Sequence, residues 1–375
     1  MQPHHRTAVL FLALVAGVSI ISGAEFLEMR TPDLIVAGPG VTGMTMLSTY
    51  HPSLSGTKGD TRIYRFDSGT PGGTMLVVGG THPNEAAGFI AAVVIVENAV
   101  VSRGRLLVLP QASASGFTCT DPLEGTPQFF TIETAGGSRR FRYGARGTSP
   151  TDQFPDPLVY LHHPSGQRLS GKETRNLNRA YPGRPEGTMT EQVAYAITRL
   201  IGQENVDVAI DLHEAAPEYP VVNAIVTHER GREIAAGATL NLEFADLHYT
   251  LEMSPVNLRG LSHREWGDWT QTTPFLMETA NVMQGRLRGA TTPTLLVGGR
   301  DPWYVIAARS GNVRVPYDSS GIPLARRVGR HLQGIREIAA AFSEFHPSRA
   351  VSVENIPEFH SVATSGVGAF LRQGP

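Results

Sequence analysis

Gly79-Gly80-Thr81-His82-Pro83-Asn84-Glu85 places a histidine and a glutamate three residues apart, directly after the apolar run Met75-Leu76-Val77-Val78. Imidazole nitrogen and carboxylate oxygen both suit zinc, and a catalytic zinc site needs one more protein ligand plus an open position. Val206-Asp-Val-Ala-Ile-Asp-Leu-His213 supplies a third candidate ligand, His213, again at the end of an apolar run. Asp211 lies two residues earlier and so points to the same side of a strand. There it can accept a hydrogen bond that orients a ligand imidazole or a nearby arginine. Thr273-Pro-Phe-Leu-Met-Glu278 is a further apolar run that finishes on a carboxylate. Zinc acidifies water and polarises a carbonyl, and a glutamate beside that water can carry its proton to a leaving nitrogen. Asn178-Arg179, before the turn Pro182-Gly183, offers an amide and a planar, permanently charged fork for a substrate carboxylate.

These side chains need strand ends to converge. Thr74–Val78, Arg105–Pro110, Val206–Leu212, Pro220–Thr227 and Thr273–Met277 read as strands. Helical spacing is expected over Glu85–Val101, Thr190–Gln203, Arg230–Glu243 and Arg326–Phe345. Strands alternating with crossover helices predict an α/β fold with a largely parallel sheet. In such sheets ligands gather at the carboxyl ends of the strands. Between about 113 and 187 Gly, Pro, Ser, Thr and Arg dominate, which predicts a long irregular insertion of the functional-loop type. The segment 346–375 reads as a polar tail on a domain spanning 25–345.

The chain has 375 residues, 41% of them hydrophobic, enough for one large core. A net charge of −2 gives no electrostatic case for nucleic acid or an acidic membrane surface. The single cysteine, Cys119, excludes an internal disulfide and a cysteine-based zinc cluster. Any metal must therefore be held by His, Asp or Glu. At the N-terminus, His4-His5-Arg6 precedes an apolar stretch from Thr7 to Ile21, and Ser22-Gly23-Ala24 follows. That order predicts a secretory leader over 1–24 and a periplasmic or secreted protein, with an uncleaved anchor as the alternative.

Together the segments resemble the zinc carboxypeptidase superfamily, and within it the succinylglutamate desuccinylase/aspartoacylase-like branch. Gly-Gly-Thr-His82-Pro-Asn-Glu85 is similar to that branch's first metal motif and Asp211-Leu-His213 to its third-ligand motif. Asn176-Leu-Asn178-Arg179 is similar to its Asp-Leu-Asn-Arg motif, with Asn176 where the branch has aspartate. The resemblance implies a mixed, mainly parallel central sheet with helices on both faces. It implies one zinc per chain on His82, Glu85 and His213, Glu278 activating water, and Asn178 and Arg179 holding a substrate carboxylate. It also implies an upstream arginine that polarises the scissile carbonyl. Arg168 and Arg175 are the nearest candidates, with Arg140 and Arg142 further back. The expected activity is N-acyl amino acid deacylation, with a carboxypeptidase acting on peptide or peptidoglycan-derived termini as the alternative. A non-catalytic homologue that binds a small ligand is a third reading. The expected partner is a small molecule or short peptide bearing a carboxylate.

Gly38-Pro-Gly40-Val-Thr-Gly43 matches a dinucleotide fingerprint, but the residues after it make a poor helix and a turn is the better reading. Asp246-Leu-His248 repeats the Asp-Leu-His string without a buried strand before it. His162-His163 reads as surface, and Trp266 and Trp269 as packing.

Overall fold

The computed structural model describes residues 3–121 and 123–374. Its strands are β1 (Gly43–Met46), β2 (Arg62–Asp67), β3 (Thr74–Val78), β4 (Val100–Arg103), β5 (Arg105–Leu109), β6 (Phe129–Thr134) and β7 (Gly137–Arg142). They continue with β8 (Val159–Leu161), β9 (Arg168–Ser170), β10 (Val208–Ala215), β11 (Ala224–Thr227), β12 (Thr250–Met253), β13 (Thr273–Ala280) and β14 (Ser352–Glu354). The α-helices are α1 (Pro3–Glu28), α2 (Ala86–Asn98), α3 (Met189–Gln203), α4 (Arg232–Phe244) and α5 (Ser262–Trp269). Four more follow: α6 (Pro293–Gly298), α7 (Pro302–Arg309), α8 (Leu324–Phe345) and α9 (Phe359–Ser365).

Eight strands form one mixed sheet in the order β1-β2-β5-β3-β10-β13-β11-β12. Its centre, β5-β3-β10-β13, is parallel throughout, and antiparallel pairing enters toward both edges. The alternation of strand side chains sends Val208, Ile210 and Leu212 into one core with α2, α4 and α8. Ala209 faces the other way, with Leu76, Val78, α3 and Trp266 of α5. The sheet is thus covered by helices on both faces, as the alternating pattern predicts. Asp211 and His213 share the parity of Ala209, so they rise on the α3 and α5 side.

One feature of the register creates the site. β3 stops at Val78, opposite Asp211, whereas β10 and β13 pair on from Leu212–Met277 to Ala215–Ala280. A notch is left beside the last residues of β10, and the segment from Gly79 to Glu85 fills it. Both β10 and β13 outrun the sequence expectation because each supplies the other's backbone partners above the level where β3 ends.

The 113–187 segment is less irregular than its composition implies. It contains the hairpins β6–β7 and β8–β9 and short 3-10 turns. β14, in the segment read as a tail, pairs antiparallel with β4. α3 opens on a capping box in which Thr188 and Glu191 each satisfy the other's backbone N–H.

The far end of α3 is fastened by Glu204. Its carboxylate accepts from Arg65 Nη1 and Nη2 at 2.9 Å each, from Arg105 at 3.0 Å and from the Tyr50 hydroxyl at 2.6 Å. The Arg65 fork is the main reason that Glu204 titrates at about 2. A depressed carboxylate contributes stability that is complete above its unfolded value near 4.5 and is lost as pH falls toward 2. Glu204→Gln is therefore expected to cost about 1–2 kcal/mol in urea unfolding at pH 7. The gap to the wild type should shrink at pH 3. An equal gap at both pH values would show that the charge contributes nothing.

Candidate metal centre

The site begins where β3 ends. Gly80 takes φ +67°, and a Cβ there would lie 2.9 Å from both the Pro110 carbonyl and the Phe117 ring, so the turn requires glycine. The turn delivers Thr81, whose hydroxyl donates to Asp211 Oδ1 at 2.7 Å, and then His82. Glu85 sits at the N-cap position of α2, its side chain turned to the site instead of capping the helix. That helix lies close against the end of β10, since a Cβ on Gly88 would sit 2.5 Å from the Leu212 carbonyl oxygen.

His82, Glu85 and His213 come together as a buried group whose ligand atoms lie within 4.8 Å of one another. His82 Nδ1 is 2.8 Å from Glu85 Oε1, and His213 Nδ1 is 2.9 Å from Glu85 Oε2. The two rings stand nearly perpendicular with centroids 4.7 Å apart. Their outer nitrogens each face an oxygen, that of His82 in a hydrogen bond and that of His213 at ion-pair distance without hydrogen-bond geometry. His82 Nε2 is 2.9 Å from Asn176 Oδ1, and His213 Nε2 is 2.9 Å from Asp211 Oδ2. Neutral and with the proton on Nε2, each ring would turn an Nδ1 lone pair inward, and two imidazoles with a carboxylate form a donor set that suits zinc. Asn176 offers His82 a neutral amide oxygen, while its own Nδ2 donates to Glu173 Oε2 at 2.7 Å.

The two histidines differ in charge preference. Burial, aided by the Arg146 guanidinium, lowers His82 to about 4. Burial also opposes charge on His213, but the Asp211 and Glu85 carboxylates outweigh it and hold this imidazole well above its usual range.

Glu278 is the register partner of His213 across β10 and β13, so the two side chains leave the sheet side by side. Its Oε2 is shut off from solvent and has no hydrogen-bond partner among the described residues. Burial pushes this carboxyl up to about 8, against the pull of His213.

Two guanidinium groups flank the triad. Arg146, exposed just beyond β7, donates from Nη1 to Glu85 Oε1 at 2.9 Å. Arg179 donates to its neighbour's carbonyl, Asn178 O, at 2.7 Å. Burial and the nearby Arg146 charge lower its pKa, while Glu173, Glu85 and Glu278 pull the other way. Asn178 Oδ1 is fixed by the backbone N–H of Ser262 at 2.8 Å. Arg175, one of the two arginines expected to reach substrate, is occupied elsewhere. Its fork grips Asp156 at 2.8 and 3.0 Å and the Thr148 carbonyl at 3.0 Å. Arg168 lies exposed on β9, opposite Leu161. Arg142 and Arg140 point to the N-terminal segment, through Asp33 and Glu28 respectively.

The residue that sequence reading passed over is thus Arg146. A signal was present in Gly144-Ala145-Arg146-Gly147, where small residues bracket one long charged side chain. Added Cβ atoms at Gly144 and Gly147 would meet backbone oxygens at 2.4 and 2.7 Å, which explains the bracket. His263 of α5 was also missed. It is buried, lowered to about 3 by desolvation and then by the His213 charge, and its Nδ1 lies 2.7 Å from Ser254 Oγ. His162 is buried, against the surface reading, with Nε2 2.6 Å from the Tyr181 carbonyl. Asp246-Leu-His248 lies away from the triad, with His248 exposed and paired to Glu243. Trp266 packs edge-on against Tyr181.

No family model matches the chain. Over 64 residues it is 34% identical to N-alpha-acetyl-L-2,4-diaminobutyric acid deacetylase of Halomonas elongata, a match covering 17% of this chain and 18% of that protein. Solved structures similar to it include a succinylglutamate desuccinylase from Silicibacter sp. TM1040 (17% identity, 60% of this chain and 55% of that one, TM-score 0.36). An aspartoacylase family protein from Mesorhizobium loti is a further similar structure (21% identity, 59% of this chain and 56% of that one, TM-score 0.36). Tripeptide-bound Csd4, a cell shape determinant of Helicobacter pylori, is another similar structure (12% identity, 81% of this chain and 59% of that one, TM-score 0.47). The chain spans under a fifth of the deacetylase and somewhat over half of these solved chains.

Proposed function

We propose that this protein is an exported zinc-dependent hydrolase that cleaves an amide bond in a carboxylate-bearing substrate, with N-acyl amino acids as the leading class. The observation that carries the reading is the approach of two inward Nδ1 atoms to the Glu85 carboxylate, with Glu278 in register beside them. The short stretch of identity to a deacetylase supports the same class of reaction.

His82, Glu85 and His213 would hold the metal. Zinc bound there supplies a Lewis acid that polarises a carbonyl and acidifies water. Glu278, with a free carboxylate oxygen and a pKa near neutrality, accepts the proton of the attacking water and returns it to the leaving nitrogen. Arg146, the guanidinium nearest Glu85, faces the charge that develops on the carbonyl oxygen. Asn178 and Arg179 clamp the substrate carboxylate, and Asp211 and Asn176 fix the two rings.

The test is the metal content of the purified full chain, beside His82→Ala and His213→Ala. About one zinc per chain is expected, lost in both variants, as a single tetrahedral site requires. A folded wild-type chain that takes up no zinc on reconstitution would overturn the reading. The same fork suits the terminal carboxylate of a peptide, so the substrate panel pairs N-acyl amino acids with short peptides.

A further inference from the structure

The apolar N-terminal helix and the surface at its base have no part in the hydrolytic site. Residues His4–Glu28 form a continuous helix whose most apolar 18-residue stretch has a mean hydropathy of 2.2 and is wholly unburied. No charged residue occurs between Arg6 and Glu25, and those eighteen residues span about 27 Å, close to the roughly 30 Å of a bilayer's hydrocarbon. Leu10, Phe11 and Leu12 are each about two-thirds exposed although successive residues project about 100° apart, so no side of the helix is shielded. A protein partner would be met by one apolar stripe. An all-round apolar surface suits lipid.

The helix also joins the body without a tether. Met29, the residue after it, is 1% exposed and its carbonyl accepts from Arg142 Nη1 at 3.1 Å. Asp33 is held by the Arg142 backbone N–H at 2.9 Å and side chain at 3.2 Å, and Val36 N–H reaches Glu97 at 3.1 Å. The surface beside this joint is amphipathic. Met44 and Met46, 60% and 38% exposed, share the outer face of edge strand β1, and Leu34 is 49% exposed. Next to them opens a cleft of about 220 Å³, lined by Arg30, Lys58 and Arg62 together with Ile35 and Met46. All three cations are exposed, and none joins an ion pair among the described residues; Arg30 donates only to the neutral Thr151 hydroxyl. The two acids lining the cleft are engaged, Asp33 by Arg142 and Asp60 by the Ser48 N–H. The net charge of −2 conceals this local cluster.

We propose that α1 is retained as a membrane anchor and that the Arg30–Lys58–Arg62 cleft at its base receives the phosphate of an anionic phospholipid headgroup. The anchor brings Arg30, two residues beyond the helix, to the headgroup layer. Met44, Met46 and Leu34 then meet the acyl boundary while the cations meet phosphate.

The test uses the full chain expressed in a bacterial host. It should keep residues 1–28 by intact mass and stay with membranes through an alkaline carbonate wash. A soluble chain beginning at Glu25 would overturn the proposal. The detergent-solubilised protein is then titrated with short-chain phosphatidylglycerol, short-chain phosphatidylcholine and inorganic phosphate. Phosphatidylglycerol should bind preferentially, and a Lys58→Glu, Arg62→Glu variant should lose that preference by about tenfold or more. Equal binding of both lipids, an unchanged variant, or phosphate matching the lipid would each overturn the headgroup assignment. Should the double variant not fold, Arg30→Gln is read by the same criteria.

Discussion

Glu278→Gln is expected to lower kcat by about 10²–10⁴-fold on any substrate the enzyme turns over, with zinc content unchanged. Glutamine preserves the shape of the β13 terminus and the pairing with His213, so the fold and the triad should be intact. It cannot take a proton from water. The change removes an interaction made on the way to the transition state, so KM should move little while kcat and kcat/KM fall together. The wild-type kcat/KM should also fall on the acid side as Glu278 becomes protonated. In the metal-free protein that carboxyl titrates near 8 because it is buried, and zinc should draw the value lower. A variant that binds zinc and retains more than a tenth of wild-type turnover would remove Glu278 from the role of base.

Arg146→Ala is expected to reduce kcat by about 10²–10³-fold, the effect of deleting one donor to a developing oxyanion. Arg146 also touches Glu85, so loss of metal could mimic this result. Zinc content measured on the same preparation separates the two. Glu85 would keep its contacts to both histidines and to the Glu214 backbone N–H at 3.0 Å, so the metal should stay. Arg146→Lys should recover only part of the rate, because a point charge replaces a planar fork. Wild-type turnover in Arg146→Ala with zinc bound would assign charge stabilisation elsewhere.

What could be read in the chain follows from how local each signal is. β3, β5 and α3 were legible because continuous apolar runs and helical periodicity belong to single segments. His82 and Glu85 were legible because glycines, histidine and glutamate lie within seven residues. The edge strands β1 and β12, and β2 beside β1, were not. β1 and β12 have four residues each and none of them buried, β2 mixes charged with apolar residues, and all three rely on neighbours for their pairing, which no local pattern carries. Arg146 stayed hidden for a similar reason. Its place beside Glu85 depends on Gly144 meeting the Gly116 carbonyl and Gly147 meeting that of Arg175, contacts across 28 residues each. Arg175 looked better placed by spacing, yet Asp156 nineteen residues away captures it. The neutral Asn176 looked like a weakness in the sequence. The structure places its amide oxygen 2.9 Å from His82 Nε2, where it can accept from an imidazole N–H as a carboxylate does.

The order of strands at the sheet's centre sets when the triad can exist at all. β10 lies between β3 and β13, so a chain still emerging from the ribosome carries His82 and Glu85 long before the strand that brings His213. Glu85 and His213 are 128 residues apart, and the partner that steadies the end of β10 comes later still. A nascent or truncated chain therefore presents only a two-ligand fragment, too weak to retain a metal. On the proposed reading, metal capture would be a late checkpoint that only a chain with its central strand inserted can pass, and the binding energy would then reinforce that finished arrangement over every partial one.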